Sequence, residues 1–122
     1  MEKGSLINLT PHDIVVYNSD GQVQRTFQKG VSLRLKEQWP EAEYDPDLGV
    51  TVVFAPIYTD VDNPELLLAA KAVIVSMPVA QWIGEMKKYR HLKVYCPDTG
   101  PLGAVRDDQG RIKGTKRLVQ YQ

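Results

Sequence analysis

The stretch "AVIVSMPVAQWIGEMKKYRHLKVYC", Ala72 to Cys96, decides how the chain is read. Val73, Ile74 and Val75 are β-branched and favour a strand, from about Ala72 to Met77. Ser76 is a candidate helix cap, and Pro78 falls in the first turn, where a missing N–H costs nothing. Val79, Trp82, Ile83 and Met86 then stand at i, i+3, i+4 and i+7, which makes one apolar stripe. Lys87, Lys88 and Arg90 occupy the last turn and complement the helix dipole. Gly84 weakens the middle by about 1 kcal/mol relative to Ala, and admits a close neighbour. "LKVYC" resumes as a strand. This is the one strand–helix–strand crossover that the pattern displays, too few for a doubly wound sheet.

Upstream, the chain reads as short strands divided by turns. "SLINLT" ends at Pro11, and "DIVVYN" runs into "SDGQ", Ser19 to Gln22, where Asp-Gly between β-branched runs signals a hairpin. "QVQRTFQ" alternates, as does "VSLRLK", which turns Val31, Leu33 and Leu35 inward. "EQWPEAEYDPDLG" has two prolines and five acids and is expected to be a loop or irregular excursion. "VTVVFAPIY" is expected to be a continuous, central apolar strand. Asn63 and Pro64 open a short helical turn through "ELLLAA". Downstream, "GAVRD" and "RIKGTKRLVQYQ" form a final pair around Asp107-Asp108-Gln109-Gly110, a tight-turn sequence. The expected fold is α+β: a mainly antiparallel sheet or partly closed β-barrel of about eight short strands, with one amphipathic helix packed on it.

The chain has 122 residues, which fits a single domain spanning 1–122. With 43% hydrophobic and 25% charged residues it has the composition of a globular protein, not a disordered one. No apolar run approaches the length of a membrane span, and "MEKGSLINLT" lacks a signal-peptide pattern. The single cysteine, Cys96, cannot staple its own chain, so a cytoplasmic, reducing setting is expected. Net charge is zero but unevenly spread. Glu37 to Ala70 holds eight acids and no Lys or Arg; Lys87 to Gln122 holds nine bases against three acids. The two segments are either a solvated surface of mixed sign or two opposed faces, which meet across a subunit contact or of which the basic one attracts a small anion.

The chemistry-bearing candidates are few. In "PDTGP", Pro97 and Pro101 stiffen the backbone and Gly100 permits a bend. Asp98 and Thr99 then either display their oxygens to a ligand or bond local amides in a plain corner. Arg106, Arg111 and Lys113 lie close together with Lys116 and Arg117, and an arginine fork suits phosphate; the alternative is ordinary surface decoration. His12, in "NLTPH", is a candidate base or ligand donor, or simply bonds a neighbour. Trp82, Tyr89 and Tyr95 lie near the basic segment and are able to stack a base, although Trp82 belongs to the core stripe. With two histidines and one cysteine no zinc spacing exists, and neither a metal nor a cofactor is expected. No nucleotide fingerprint, phosphate loop or nucleophile elbow is present. Double-stranded nucleic acid is not an expected partner.

"INLTPHDIVVY", "VIVSM" and "YCPDTGPLGAVRDDQGRIKGTKRLVQY" together resemble a group of small phage- or prophage-encoded proteins with an NLTPH opening and a PDTGP…VRD…G.I.G closing motif. The resemblance covers about a third of the chain and carries over no catalytic residue. By analogy with phage proteins that trap nucleotide immune signals, it implies a non-enzymatic sponge. In that reading Arg106, Arg111 and Lys113 meet phosphates, Asp98, Thr99 and His12 bond sugar or base, and the protein is a homo-oligomer. The alternatives are a hydrolase or lyase acting on such a signal, and a structural or protein-binding accessory.

Overall fold

A computed structural model describes residues 6–122. The fold is α+β, with twelve short strands and two helices among the described residues. One four-stranded sheet has the order β1 (Leu6–Asn8), β8 (Ala72–Ile74), β9 (Lys93–Pro97), β12 (Leu118–Gln120). Strands β1, β8 and β9 are parallel, in the register Ile7↔Val73↔Val94, and β12 is antiparallel to β9. A second sheet has the order β10 (Ala104–Arg106), β11 (Ile112–Thr115), β2 (Ile14–Tyr17), β3 (Val23–Phe27). It joins an N-terminal and a C-terminal hairpin through one parallel step, Thr115↔Val16.

These findings correct the expected architecture. The sheets are mixed rather than mainly antiparallel, the strands are twelve rather than about eight, and no sheet of the described residues closes into a barrel. Parallel neighbours must be reached by a crossover rather than a tight turn, so Leu6 pairs with Ala72 far along the chain and local alternation carries no sign of it. Two α-helices replace the one expected: α1 (Pro64–Ala69), at the Pro64 start, and α2 (Met77–Gly84).

Helix α2 crosses from β8 to β9 and buries the expected stripe. Val79, Trp82 and Ile83 are in the core, and Met86 packs against it. The helix ends at Gly84, short of the expected last turn, and a 3-10 turn follows at Lys87–Tyr89. Beneath α2 lie Val73 of β8, Val75 just beyond its end, and Val94 and Cys96 of β9, alternate positions on one sheet face. Tyr89 is fully buried beside Trp82, their ring centroids 6.0 Å apart. Its hydroxyl donates to Asp60 at 3.0 Å, which satisfies the one polar atom that this burial carries inward. Burying side chains of this size is worth about 1.5–3 kcal/mol each.

The hairpin turns fall where expected, with Gly21 and Gly110 at φ of 81° and 80°. The middle of the chain does not follow its expected reading. "VSLRLK" buries Leu33, but the strand begins only at Leu35 and Val31 is exposed. Strand β4 (Leu35–Gln38) pairs with β7 (Ile57–Val61), and beyond them β5 (Glu43–Asp45) pairs with β6 (Val50–Val52). The expected loop therefore contains a strand, and the expected central strand "VTVVFAPIY" is broken over residues 53–56 and exposed on an arm. Pro56 has no N–H to give to a ladder, and β5 and β6 form a two-stranded sheet of their own.

Candidate functional site

The carboxyl ends of β1, β8 and β9 face the hairpin sheet across a cavity of about 530 Å³. Four separate segments line it: Thr10–Val15, Val75–Met77, Cys96, Pro97 and Thr99, and Ile112–Thr115. The crevice beyond the carboxyl ends of parallel strands is where open α/β sheets bind ligands, because each strand there releases its chain into a loop.

The first wall is built by Asn8, the last residue of β1. Its side-chain oxygen accepts from the Thr10 N–H at 3.0 Å and the Thr10 hydroxyl at 2.7 Å. Its amide donates to the carbonyls of His12 and Phe27, both at 2.9 Å. One buried amide thus folds residues 8–12 into a bend and ties them to the second sheet. Asn8 and Thr10 are consumed as scaffold, while the His12 side chain stands exposed on the rim.

The "PDTGP" corner is locked by its own bonds. The Asp98 carboxylate accepts from the Gly100 N–H at 3.0 Å and from Arg117 Nε at 2.7 Å. Those two contacts, Arg117 first, hold the carboxyl below the usual aspartate value of 3.8. Gly103 lies flat against the corner: a Cβ there would fall 2.4 Å from Asp98 Cγ and 2.6 Å from its carbonyl oxygen. Thr115, almost wholly buried, has its hydroxyl 2.8 Å from the Asp98 carbonyl, 3.2 Å from that of Gly103 and 2.7 Å from that of Arg117. The corner is therefore a brace, and Thr99 is the member of it that lines the cavity with a free, exposed side chain.

The opposite wall is β11 against β2. A Cβ on Gly114 would meet Tyr17 Cε2 and the Val15 carbonyl at 2.5 Å, so glycine lets the two strands close up. Lys113 lines the cavity, with its ammonium 5.2 Å from the centroid of the Tyr17 ring. Helix α2 starts at the remaining side, where Ser76 occupies the cap position without a side-chain capping bond. Cys96 is buried at the floor; burial, and then the Asp98 charge, push its thiol above the usual value and keep it protonated.

Of the six residues expected to form the site, His12, Thr99 and Lys113 line this cavity together. Asp98 faces Arg117 rather than the cavity. Arg106 and Arg111 do not line it either. Arg106 donates to the Gly110 carbonyl at 2.7 Å, and Arg111 lies 3.4 Å from Asp107 in its own hairpin. Asp107 holds that turn, accepting from the N–H groups of Gln109 and Arg111. The apolar walls, Ile14, Val15, Met77 and Ile112, carried no signal beyond ordinary strand or helix pattern. The same is true of Thr115.

Chemically, the cavity offers a largely apolar interior, a single lysine, one histidine and three hydroxyl or carboxylate groups at its rim (Ser76, Thr99, Asp13). Asp13 is partly engaged, accepting from the Lys29 N–H at 2.8 Å. Among the described residues, no three His, Cys, Asp or Glu side chains gather as a metal site would need. No helix among them is long and apolar enough to cross a membrane. No family model, curated protein or solved structure matches this chain.

Proposed function

We propose that the protein is a phage-encoded, non-enzymatic binding protein that sequesters a small, nucleotide-derived immune signal, and that it works as a homo-oligomer. One observation carries the reading: the "NLTPH" loop, the "VIVSM" strand end, the "PDTGP" corner and the "RIKGT" strand, scattered through the sequence, line one cavity of about 530 Å³. That volume lies within the usual range for small-molecule sites, about 300–1,000 Å³. Apolar walls suit the faces of a base, Lys113 suits a phosphate, and Thr99, Ser76 and His12 suit hydroxyls and base edges. Because the corner is already braced by Asp98, Arg117 and Thr115, little order remains to be imposed on binding, which favours capture.

Calorimetry against a panel of cyclic and ADP-ribose-derived nucleotides tests this reading. Binding of one member, followed by its intact recovery on chromatography, is the expected result. Recovery of a cleaved product would instead make the protein an enzyme, and the absence of any binding tighter than millimolar ends the proposal.

A further inference from the structure

We infer that the arm from Leu35 to Val61 is the surface by which this chain binds a second copy of itself. The arm is rooted firmly. Val61 is fully buried, Leu35 packs against the core, and Asp60 receives the Tyr89 hydroxyl at 3.0 Å and the Lys88 ammonium at 2.9 Å. Beyond Gln38↔Ile57, the last pair of the first ribbon, support ends and the second ribbon stands on its own. A lone two-stranded ribbon is marginally stable in water at best.

That unsupported ribbon is also strongly apolar. Nine of the sixteen large hydrophobic side chains exposed among the described residues lie on the arm. Phe54 is 84% exposed, Leu48 67% and Tyr44 65%, with Trp39 and Tyr58 nearby. Aromatic side chains of this kind anchor protein interfaces, and concentrated exposed apolar surface marks a binding face.

Charge selects the occupant. The arm carries six acids and one lysine. An anionic bilayer or a nucleic acid would be repelled. The partner must be a protein surface that is basic and partly apolar, and the segment from 87 to 122 of this chain supplies residues of both kinds. Residues 87–122 hold nine bases against three acids. Lys87, Arg90, Lys93 and Lys116 make no ion pair among the described residues, and Leu102 and Val119 are exposed in the same segment. Each copy thus offers what the other's arm needs, and reciprocal docking about a two-fold axis satisfies both arms in a closed dimer.

The inference rests on the homo-oligomer proposed above and adds the element that builds it. Sedimentation velocity from micromolar to millimolar protein tests it. The expected result for the wild type is a dimer that weakens with added salt. Two variants read the arm: one joining Gln38 to Ile57 through Asn-Gly, a natural two-residue hairpin turn across an existing strand pair, and a full-length F54D/I57D double variant. Each is expected to weaken the dimer by at least about thirtyfold while the near-ultraviolet spectrum of Trp82 and Tyr89 is retained. Should the shortened chain fail to fold, the double variant decides alone. A monomeric wild type overturns the inference and the oligomer with it. A dimer undiminished in the variants overturns the arm alone, and ligand titration of the cavity is independent of either result.

Discussion

Replacing Thr115 by valine removes one hydroxyl and leaves the side-chain shape almost unchanged. The hydroxyl is buried, so no water takes its place. It carries a single proton, best given to the Asp98 carbonyl at 2.8 Å, because the other two carbonyls within reach have further donors. Gly103 accepts from the Lys116 N–H at 2.7 Å and Arg117 from the Asp98 N–H at 3.2 Å. The hydroxyl oxygen also accepts from the Arg117 N–H at 3.2 Å. T115V therefore loses two hydrogen bonds and leaves the Asp98 carbonyl without its donor. At about 1 kcal/mol for each bond, with a further penalty for the orphaned acceptor, the loss is about 2–3 kcal/mol. With a urea slope of about 1.5 kcal/mol per molar for a chain of this size, the unfolding midpoint falls by roughly 1.3–2 M. The T115S variant keeps the hydroxyl and separates this loss from that of the methyl group. Equilibrium urea unfolding followed by tryptophan fluorescence measures both. A T115V midpoint within about 0.3 M of the wild type would refute the claim that this hydroxyl braces the corner.

Other outcomes follow from the same geometry. Gly103→Ala forces a methyl into Asp98 and is expected to cost about 1–3 kcal/mol in urea unfolding; an unchanged midpoint would mean that the contact is slack. Arg117 holds the Asp98 carboxyl below its usual 3.8, so its contribution to stability is complete above that value and vanishes as pH falls through the lower folded one. Urea midpoints taken from about pH 6 to about pH 2 should thus show wild type and D98N converging at the acid end, and a constant gap would contradict the pairing. The Cys96 thiol, buried and held protonated, should react with a thiol-specific disulfide reagent far more slowly in the native protein than in urea. For any nucleotide bound by the wild type, Lys113→Gln should weaken affinity by about tenfold, whereas R106Q and R111Q should leave it nearly unchanged. The reverse order would move the site to the hairpin.

What the sequence disclosed depended on range. Val79, Trp82 and Ile83 announce α2 because their spacing is local, and Gly21 and Gly110 announce their turns for the same reason. The pairing of Leu6 with Ala72 and of Thr115 with Val16 depends on contacts far apart in sequence, so the parallel core of the first sheet stayed hidden. "VTVVFAPIY" misleads in another way: apolarity signals contact of some kind, and the run reads the same for an exposed arm as for a core strand. At the site, "NLTPH" and "PDTGP" stood out through their prolines and polar residues. The division of labour within them did not, since nothing in the order of residues says that Asn8 and Asp98 face inward as brackets while His12 and Thr99 face the cavity. Arg106 and Arg111 cluster with Lys113 along the chain, yet a hairpin sends neighbouring side chains to different places, and two of the three bond within their own turn.

The central claim is that four distant segments make one ligand cavity. Amide chemical-shift mapping in the nucleotide titration tests it most directly. The account predicts that the largest shifts fall together on Thr10, His12–Val15, Val75–Met77, Cys96, Thr99 and Ile112–Thr115. Shifts confined to the 107–111 turn, or to the arm between Leu35 and Val61, would contradict it.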